Sequence, residues 1–276
     1  MLLQGEVITM TNKIYACADE AVADIPDGVI IAAHTWGLCG TPSHLFAAIM
    51  RRGIKDITLL CTNFLPISGI EDVLPGPTSL LPQLKKVITP GIGGARALGT
   101  DDKGFLDDRV RSGQLETEVI PHGIWIERLH AAAMGLGGFY NPVGVGTSVE
   151  AGKEKRVIDG REYFLEKPIR PDVGLIKAHK ADTFGNLVYY KASRGSNPII
   201  AMASKLTIVE VDELVEEGEI DPEVVVTPGV YVDRIVKIPE GDVGSARQKR
   251  DLIKTILENE MLRRVLLGGA DKGGQK

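Results

Sequence analysis

The sequence predicts an α/β fold in which helices cover both faces of a mostly parallel sheet. The first observation is a pair of short, largely apolar runs, GVIIAA at residues 28–33 and DITLLCT at residues 56–62. A strand that is buried on both faces reads as such a run, and parallel sheets consist of strands of this kind. The second observation is that segments with helical spacing alternate with apolar runs along the chain, which is typical of successive βα units.

The first part of the chain predicts two helices that flank a buried strand. Apolar residues recur at helical spacing over residues 14–25, so we expect a helix there. The apolar run from Gly28 to Ala33 is the expected strand. Ser43 is the expected N-cap of a helix that runs through Arg52, and Gly53 is expected to end it.

The rest of the chain predicts further strands and one long helix. Residues 64–104 are rich in proline and glycine, and only residues 85–89 are expected to form a strand there. The remaining predicted elements are a strand at 115–120, a helix from Pro121 through Met134, and strands at 173–177, 187–189, 206–211 and 230–236. We expect one domain over residues 1–243. A helix over 244–267 is expected to pack on that domain or on a partner, and residues 268–276 are expected to form a flexible tail.

Composition and charge exclude several classes of protein. Of the 276 residues, 43% are hydrophobic and 25% are charged, and the formal net charge is −5. That balance argues against a nucleic-acid partner, which requires clustered Lys and Arg. No apolar run approaches the length of about 18 residues that indicates a membrane-spanning helix. The N-terminus lacks the regions of a signal peptide, so we expect a cytoplasmic protein without a membrane partner.

The three cysteines predict neither a zinc site nor a disulfide framework. Cys17, Cys39 and Cys61 form no CxxC pair and have no histidine at ligand spacing. We expect Cys17 and Cys61 to be buried free thiols. Cys39 lies in a glycine-rich bend and is a candidate nucleophile, although no nearby histidine in the sequence is placed to activate it.

The bend that follows the first predicted strand is the strongest candidate for a binding site. Residues 36–42 read WGLCGTP, between the apolar run and a predicted helix. Glycines allow backbone N–H groups to approach an anion or a carbonyl closely, and the N-terminus of a helix favours negative charge. The backbone at Gly37, Leu38 and Gly40 is therefore a candidate set of donors. The alternative is a tight turn that packing requires.

Four segments, taken in order, resemble the A (alpha) subunit of family I CoA-transferases, the 3-oxoacid CoA-transferase group. They read HTWGLCGTPS at residues 34–43, GQLETEVIPHG at 113–123, FYNPVGVGT at 139–147, and the stretch 171–211, which PGVYVD at 228–233 closes. The family patterns are close to GGFGLCGIPE, GELEVELxPQG and FYTPTGVGT. His34 and Thr35 replace the two family glycines, and His122 replaces the usual glutamine. No counterpart of the family's SSYVGEN stretch is present.

The resemblance implies ping-pong transfer of CoA between an acyl-CoA and a carboxylic acid. In that family a glutamate of the B (beta) subunit forms the glutamyl-CoA thioester, so no catalytic residue is expected on this chain. The resemblance further implies an A2B2 heterotetramer, with coenzyme A as a substrate and no separate cofactor or metal. This chain would line the acyl and carboxylate pocket, with the substrate-binding candidates His34, Gly37, Leu38, Gly40, His122 and Asn141.

More than one interpretation remains at several of these positions. His34 is also interpretable as a buried, hydrogen-bonded histidine, and His122 as a residue at the start of a helix. For Glu118 and Glu127, the favoured interpretation is a surface charge or a structural ion pair. Lys177, His179 and Lys180 are candidates either for the phosphates of CoA or for support of the sheet or the subunit interface, and the acidic stretch 210–223 is expected to be a solvated face or loop.

Different activities also fit the predicted architecture, because a fold alone does not fix the chemistry. An acyl-CoA hydrolase would need water at the thioester, which replacement of the two corner glycines would admit. A sugar-phosphate isomerase is a further alternative on this architecture. A non-catalytic ligand-sensing module ranks last, because the sequence has no helix-turn-helix and no basic segment that would make it a regulator.

Overall fold

The computed structural model of the protein describes residues 12–36, 39–64, 75–91 and 104–239. Within these ranges the strands are β1 (Ile14–Tyr15), β2 (Ile30–Ala33), β3 (Ile57–Cys61), β4 (Leu84–Thr89), β5 (Glu116–Val119), β6 (Phe139–Asn141), β7 (Lys155–Ile158), β8 (Arg161–Glu166), β9 (Val173–Asp182), β10 (Leu187–Val188), β11 (Leu206–Val215) and β12 (Arg234–Lys237). Nine of them form one sheet, in the order β1-β12-β11-β9-β2-β3-β4-β5, with β10 paired to β9. Every pair in that sheet is parallel except β9 with β10. The predicted α/β class with a mostly parallel sheet is therefore confirmed.

Helices lie on both faces of this sheet, as predicted. The α-helices of the described ranges are α1 (Ala18–Ala21), α2 (Ser43–Arg52), α3 (Gly104–Arg111), α4 (His122–Ala133) and α5 (Asn197–Ala203). Buried residues of α1 and α2 belong to one hydrophobic cluster, and buried residues of α4 and α5 belong to a second. Short 3₁₀ turns occur at Pro77–Gln83, Ser148–Glu150, Lys191–Arg194, Pro222–Val224 and Gly229–Tyr231.

The alternation of side chains along each strand produces these two clusters. In β2, Ile31 belongs to the cluster under α1 and α2, while its neighbour Ala32 belongs to the cluster under α4 and α5. Both residues are fully buried, which is why β2 reads as a continuous apolar run rather than as an alternating one. The indole N–H of Trp125 in α4 donates to the carbonyl of Ile88, so this large ring is buried with its polar atom paired.

The order in which strands are added to the sheet reverses between two neighbouring parallel strands, β2 and β9. The chain leaves β2 into α2, which packs on one face, and after β9 and β10 it enters α5, which packs on the opposite face. Successive strands from β2 to β5 extend toward one edge, while β11 and β12 extend toward the other. In open α/β sheets a crevice opens at such a switch point, outside the carboxyl ends of the strands.

A second, smaller sheet was not predicted from the sequence. Strands β6, β8 and β7 pair in that order, and both pairs are antiparallel. All four residues of β7 are exposed, so the segment carries no apolar run that would mark it as a strand.

Three local predictions were wrong in detail. The predicted helix at 14–25 is instead strand β1 followed by the short helix α1, because Ile14 and Tyr15 pair with β12. The predicted strand at 230–236 is a 3₁₀ turn followed by β12, at Arg234–Lys237. Pro42, not Ser43, occupies the N-cap of α2, whereas Gly53 ends that helix in the left-handed conformation, as predicted.

Some predictions fall outside the described residues. These are the backbone at Gly37 and Leu38, the helix over 244–267 and the tail over 268–276. Within the described ranges, no helix combines the length and the apolar character that crossing a membrane requires.

Candidate active site

A pocket of about 360 Å³ lies at the carboxyl ends of the parallel strands. Its lining residues are His34, Trp36, Thr62, His122, Ile126, Gly195 and Ser196. The first two follow β2, Thr62 follows β3, and His122 begins α4 just beyond β5. Gly195 and Ser196 immediately precede α5. The pocket therefore occupies the switch point of the sheet, and it brings together two of the predicted substrate-binding residues, His34 and His122.

The imidazole of His34 is bonded into the wall of this pocket. Its Nδ1 atom lies 2.9 Å from the hydroxyl of Ser196 and accepts a hydrogen bond from the Ser196 backbone N–H at 3.3 Å. Only 5% of the residue is exposed. Burial lowers the pKa of His34 to about 4, although a hydrogen bond to the backbone of Cys39 opposes this shift. His34 is thus a neutral, hydrogen-bonded histidine in the pocket lining. Its role in binding the substrate stays a prediction.

Gly195 is the residue that makes room for this imidazole. It has a positive φ of 39°, and a Cβ atom there would lie 2.3 Å from Cε1 and 2.4 Å from Nε2 of His34. Any larger residue would therefore push the ring of His34 out of its place. The need for glycine at Gly195 follows from the presence of His34.

Two aromatic rings stand at the mouth of the pocket. The rings of Trp36 and His122 meet nearly edge to face, with their centroids 5.3 Å apart and an interplanar angle of 75°. Trp36 is 56% exposed, which is unusual for a side chain of this size. The mouth therefore presents apolar surface toward the outside of the chain.

Hydrogen bonds join the ends of β2 and β3 beneath the pocket. The backbone N–H of Thr35 donates to the Thr62 hydroxyl at 2.9 Å, and the Thr35 hydroxyl donates to the Asn63 carbonyl at 2.7 Å. The Asn63 N–H donates back to the Thr35 hydroxyl at 3.0 Å. Thr35, which stands where the resembled family has glycine, thus fixes two strand ends against each other.

The other predicted binding residues lie outside the lining of this pocket. Gly40 is buried, and its carbonyl accepts from the amide of Asn197 at 3.1 Å. A Cβ atom on Gly40 would lie 2.2 Å from the Ser193 carbonyl oxygen, so close packing alone accounts for glycine there. Asn141 lies on β6, where its amide exchanges hydrogen bonds with the backbone of Val143. Roles toward substrate at Gly40 and Asn141 stay predictions.

The coenzyme A transferase profile matches residues 15–238, which include most of the described structure. The chain belongs to the coenzyme A transferase family. It is 40% identical over 245 residues to the A subunit of the probable succinyl-CoA:3-ketoacid coenzyme A transferase of Bacillus subtilis (strain 168), covering 89% of this chain and 95% of that relative. It is 40% identical over 229 residues to the A subunit of the 3-oxoadipate CoA-transferase of Pseudomonas putida, covering 83% of this chain and 95% of the relative.

A solved structure shares the fold. The glutaconate coenzyme A-transferase of Acidaminococcus fermentans superposes with a TM-score of 0.67 over 93% of both chains, at 20% sequence identity. The family profile and the relatives named as A subunits confirm the resemblance predicted from the four segments, to the A subunit of a CoA-transferase.

No described residue of the lining of this CoA-transferase pocket is a carboxylate. Glu118 pairs with Lys86 at 2.8 Å and with Arg128 at 2.7 Å, and Glu127 pairs with His130 at 3.2 Å. Burial opposes ionisation of Glu118, but the hydrogen bonds from Lys86 and Arg128 outweigh it and lower the pKa of that carboxyl. As predicted, Glu118 forms structural ion pairs and Glu127 is an exposed surface carboxylate, which lies beside His130.

The cysteines of the CoA-transferase chain differ in exposure. Cys61 is buried as predicted, and burial raises the pKa of its thiol to about 12, which leaves it protonated at neutral pH. Cys17 was predicted to be buried but is exposed, because it precedes the short helix α1 at the surface rather than lying on a long helix. Cys39 is exposed and is not among the residues of the pocket lining.

A buried charged cluster connects β9 and β11. Lys177 lies 2.6 Å from Asp212 and 3.9 Å from Glu210, and Asp212 also pairs with His179 at 3.1 Å. Glu210 is completely buried, and it accepts a hydrogen bond from the backbone N–H of Leu45 in the first turn of α2. The prediction of a solvated face over 210–223 was therefore wrong at its start.

The contacts of this cluster bear on the two interpretations of the basic residues in β9. Lys177 is buried and paired, and Lys180 lies 2.9 Å from Glu213 of β11. Together with the pair between His179 and Asp212, these contacts hold β9 against β11. The described contacts thus favour support of the sheet over binding of the phosphates of CoA.

Sequence reasoning missed four of the lining residues. Thr62, Ile126, Gly195 and Ser196 were not singled out. Ser196 precedes Asn197 and Pro198, and this combination is a sequence signal for the start of a helix, here α5. That signal could have indicated that residues near Ser196 lie at the carboxyl edge of the sheet. Nothing in the sequence itself shows that Gly195 lies under His34.

Proposed function

We propose that this chain is the A subunit of a heteromeric CoA-transferase that moves CoA between an acyl-CoA and a carboxylate. The observation that carries the proposal is the pocket at the switch point, whose described lining contains no carboxylate. Transfer through a glutamyl-CoA thioester requires such a group, and in the proposed enzyme a second chain supplies it. The relatives from Bacillus subtilis and Pseudomonas putida are both named as A subunits, which supports a partner of the B type.

The proposed reaction has two half-reactions with a covalent enzyme intermediate. The glutamate carboxylate of the partner attacks the thioester carbonyl and expels the CoA thiolate, which leaves an acyl-glutamyl anhydride. The thiolate then attacks the glutamyl carbonyl, releases the acyl group as a carboxylate, and forms a glutamyl-CoA thioester. An incoming carboxylate reverses these steps. Coenzyme A is a substrate throughout, and the mechanism uses no other cofactor.

This chain would hold the acyl group and keep water away from the intermediates. The rings of Trp36 and His122 and the side chain of Ile126 give the pocket apolar surface. A partner that encloses this open pocket would slow hydrolysis of an anhydride and strengthen every electrostatic contact at the reacting carbonyl. The exposed Trp36 would be covered when the partner docks, and an A2B2 assembly is the proposed stoichiometry.

The contacts of His34 and Thr35 argue against hydrolysis of the acyl-CoA as the reaction. A hydrolase would need these two residues, which stand where the resembled family has glycines, to admit water to the thioester. Both side chains are buried and hydrogen-bonded to neighbouring loops, so they fill the corner. We therefore expect transfer rather than hydrolysis.

The proposal is tested by assaying this chain, the B-type subunit encoded beside it, and the two together. Only the mixture should convert an acyl-CoA and an acceptor carboxylate into the new acyl-CoA. Free thiol should not accumulate, because CoA passes from one acyl group to another. Transfer by this chain alone would contradict the proposal, as would release of free CoA at the same rate with and without the acceptor.

A further inference from the structure

A second pocket, of about 500 Å³, lies beside the candidate active site and carries two cations. Lys191 and Arg194 line it together with apolar side chains, and its described lining includes no carboxylate. Basic residues of the neighbouring sheet, such as Lys177 and Lys180, are paired with carboxylates. Lys191 instead contacts the ring of Tyr190, at 5.2 Å from the ring centroid. Within the described part of the chain, neither Lys191 nor Arg194 forms an ion pair, so both charges are available to a ligand.

Both cations extend from a turn that buried hydrogen bonds hold in place. The turn is the 3₁₀ segment Lys191–Arg194, in which Ser193 is buried. The Ser193 hydroxyl accepts from the backbone N–H of Tyr190 at 3.1 Å, and the amide of Asn197 donates to the Ser193 carbonyl at 2.9 Å. Lys191 has a positive φ of 50°, which is uncommon for a residue with a side chain and persists only where the surroundings impose it. The backbone positions from which the two cations extend are therefore fixed.

Gly195 connects this pocket to the candidate active site, because it lines both of them. It carries no side chain that could stand between the two pockets. The ring of His34 also excludes one, since a Cβ atom on Gly195 would lie 2.3 Å from Cε1 of His34. The histidine that stands where the resembled family has glycine thus keeps the passage to Lys191 and Arg194 open. A ligand in the candidate active site reaches the two cations by extending over Gly195.

From this arrangement we infer that Lys191 and Arg194 form a subsite for a carboxylate at the far end of the acyl group. This inference rests on the proposed function, and it adds the residues that select a dicarboxylic substrate. A planar guanidinium binds a carboxylate through two parallel hydrogen bonds, and the ammonium group of Lys191 adds a second positive charge. An acyl group of the same length without the second carboxylate gains nothing from either cation.

The direct test compares succinyl-CoA with butyryl-CoA on the complex of this chain with its B subunit. The two acyl chains have the same number of carbons, and only the first ends in a carboxylate. Single-turnover formation of the enzyme-CoA thioester needs no acceptor, so it reports the donor alone. We expect Arg194→Gln to slow loading from succinyl-CoA by about tenfold or more, and to change loading from butyryl-CoA by less than about twofold. Lys191→Asn should act in the same direction, and asparagine tolerates the positive φ of that position.

Two further variants control for general effects of charge and of folding. Arg194→Lys keeps the positive charge but loses the paired hydrogen bonds, so it should load from succinyl-CoA faster than Arg194→Gln does. Lys205→Gln removes one positive charge from an exposed position just before β11, at the opposite edge of the sheet from the pocket. It should leave the loading rates of both donors unchanged.

The outcomes separate this inference from the proposed function. Equal slowing of both donors in Arg194→Gln would assign the cations to the phosphates of CoA and overturn the inference, as would unchanged loading from both. A wild-type complex that loads from butyryl-CoA or acetyl-CoA but not from succinyl-CoA would overturn the inference and leave the proposed function intact. Loading from none of these donors would overturn the proposed function itself.

Discussion

At the scale of the residue, His34 explains features that lie far from it in the sequence. Its ring occupies the space above Gly195, and its Nδ1 atom holds the start of α5 through Ser196. His34 and His122 were predictable as site residues because they stand inside the segments that resemble the family. Gly195 was not, because its requirement for glycine comes from a contact across 161 positions of chain.

The burial of His34 predicts a dependence of stability on pH. The unfolded chain binds a proton at His34 below a pH of about 6.5, whereas the folded pKa is about 4. The unfolded state therefore takes up the proton first, and the free energy of unfolding falls as the pH drops from 6.5 toward 4. This one group contributes a loss of up to about 3 kcal/mol in that window.

Urea unfolding of the wild type and of His34→Gln at several pH values measures this contribution. The difference in the free energy of unfolding between the two proteins should be constant above pH 7 and should shrink as the pH falls toward 4. A difference that stays constant from pH 7 to pH 4 would show that His34 titrates alike in the folded and unfolded states.

At the scale of the element, buried charges and apolar runs fix the positions of the strands. The cluster of Lys177, Glu210 and Asp212 holds β9 to β11, and Glu210 also accepts from the first turn of α2. The helix that follows the glycine-rich bend is thus tied to the centre of the sheet. The carboxylate of Glu210 thus caps the N-terminus of α2, which is the role predicted for Ser43 from the sequence.

This arrangement predicts that Lys177→Met destabilises the fold strongly. The substitution leaves the buried carboxylate of Glu210 without its nearby cation, which costs about 3–5 kcal/mol. Lys205→Met is the matched control, because Lys205 pairs with Asp172 at the surface with 61% of its side chain exposed. The control should cost below about 1 kcal/mol. Equal losses in chemical denaturation would contradict a structural role for the buried cluster.

The elements that could be predicted from the sequence are those whose own residues show the apolar run of a buried strand or the glycine that ends a helix. Strand β2 is apolar throughout and β3 is apolar except at Thr58, because both faces of these strands are covered, and α2 is ended by a glycine. Strand β1 is only two residues long and exists because β12 lies beside it, so its spacing resembled a helix. In the small antiparallel sheet β7 is exposed throughout, and its pairing with β8 replaces the apolar pattern that a core strand would show.

At the scale of the whole molecule, we propose that the chain provides one wall of a site and that a partner provides the group that reacts. The pocket opens at the switch point, and an exposed tryptophan lies at its mouth. The prediction that the reacting group lies on a second chain came from the resemblance to A subunits. Membership of the family confirms that resemblance. The described pocket lining is assembled from separate loops and helix starts, which no local sequence pattern reports.

The central claim is that the covalent intermediate forms on the partner and not on this chain. The complex is incubated with an acyl-CoA in the absence of acceptor, quenched, digested and examined by mass spectrometry. We predict CoA in thioester linkage to a glutamate of the B subunit, lost again when an acceptor carboxylate is added before the quench. An acyl or CoA adduct on this chain, whether on Cys39 or on a carboxylate, would contradict the account.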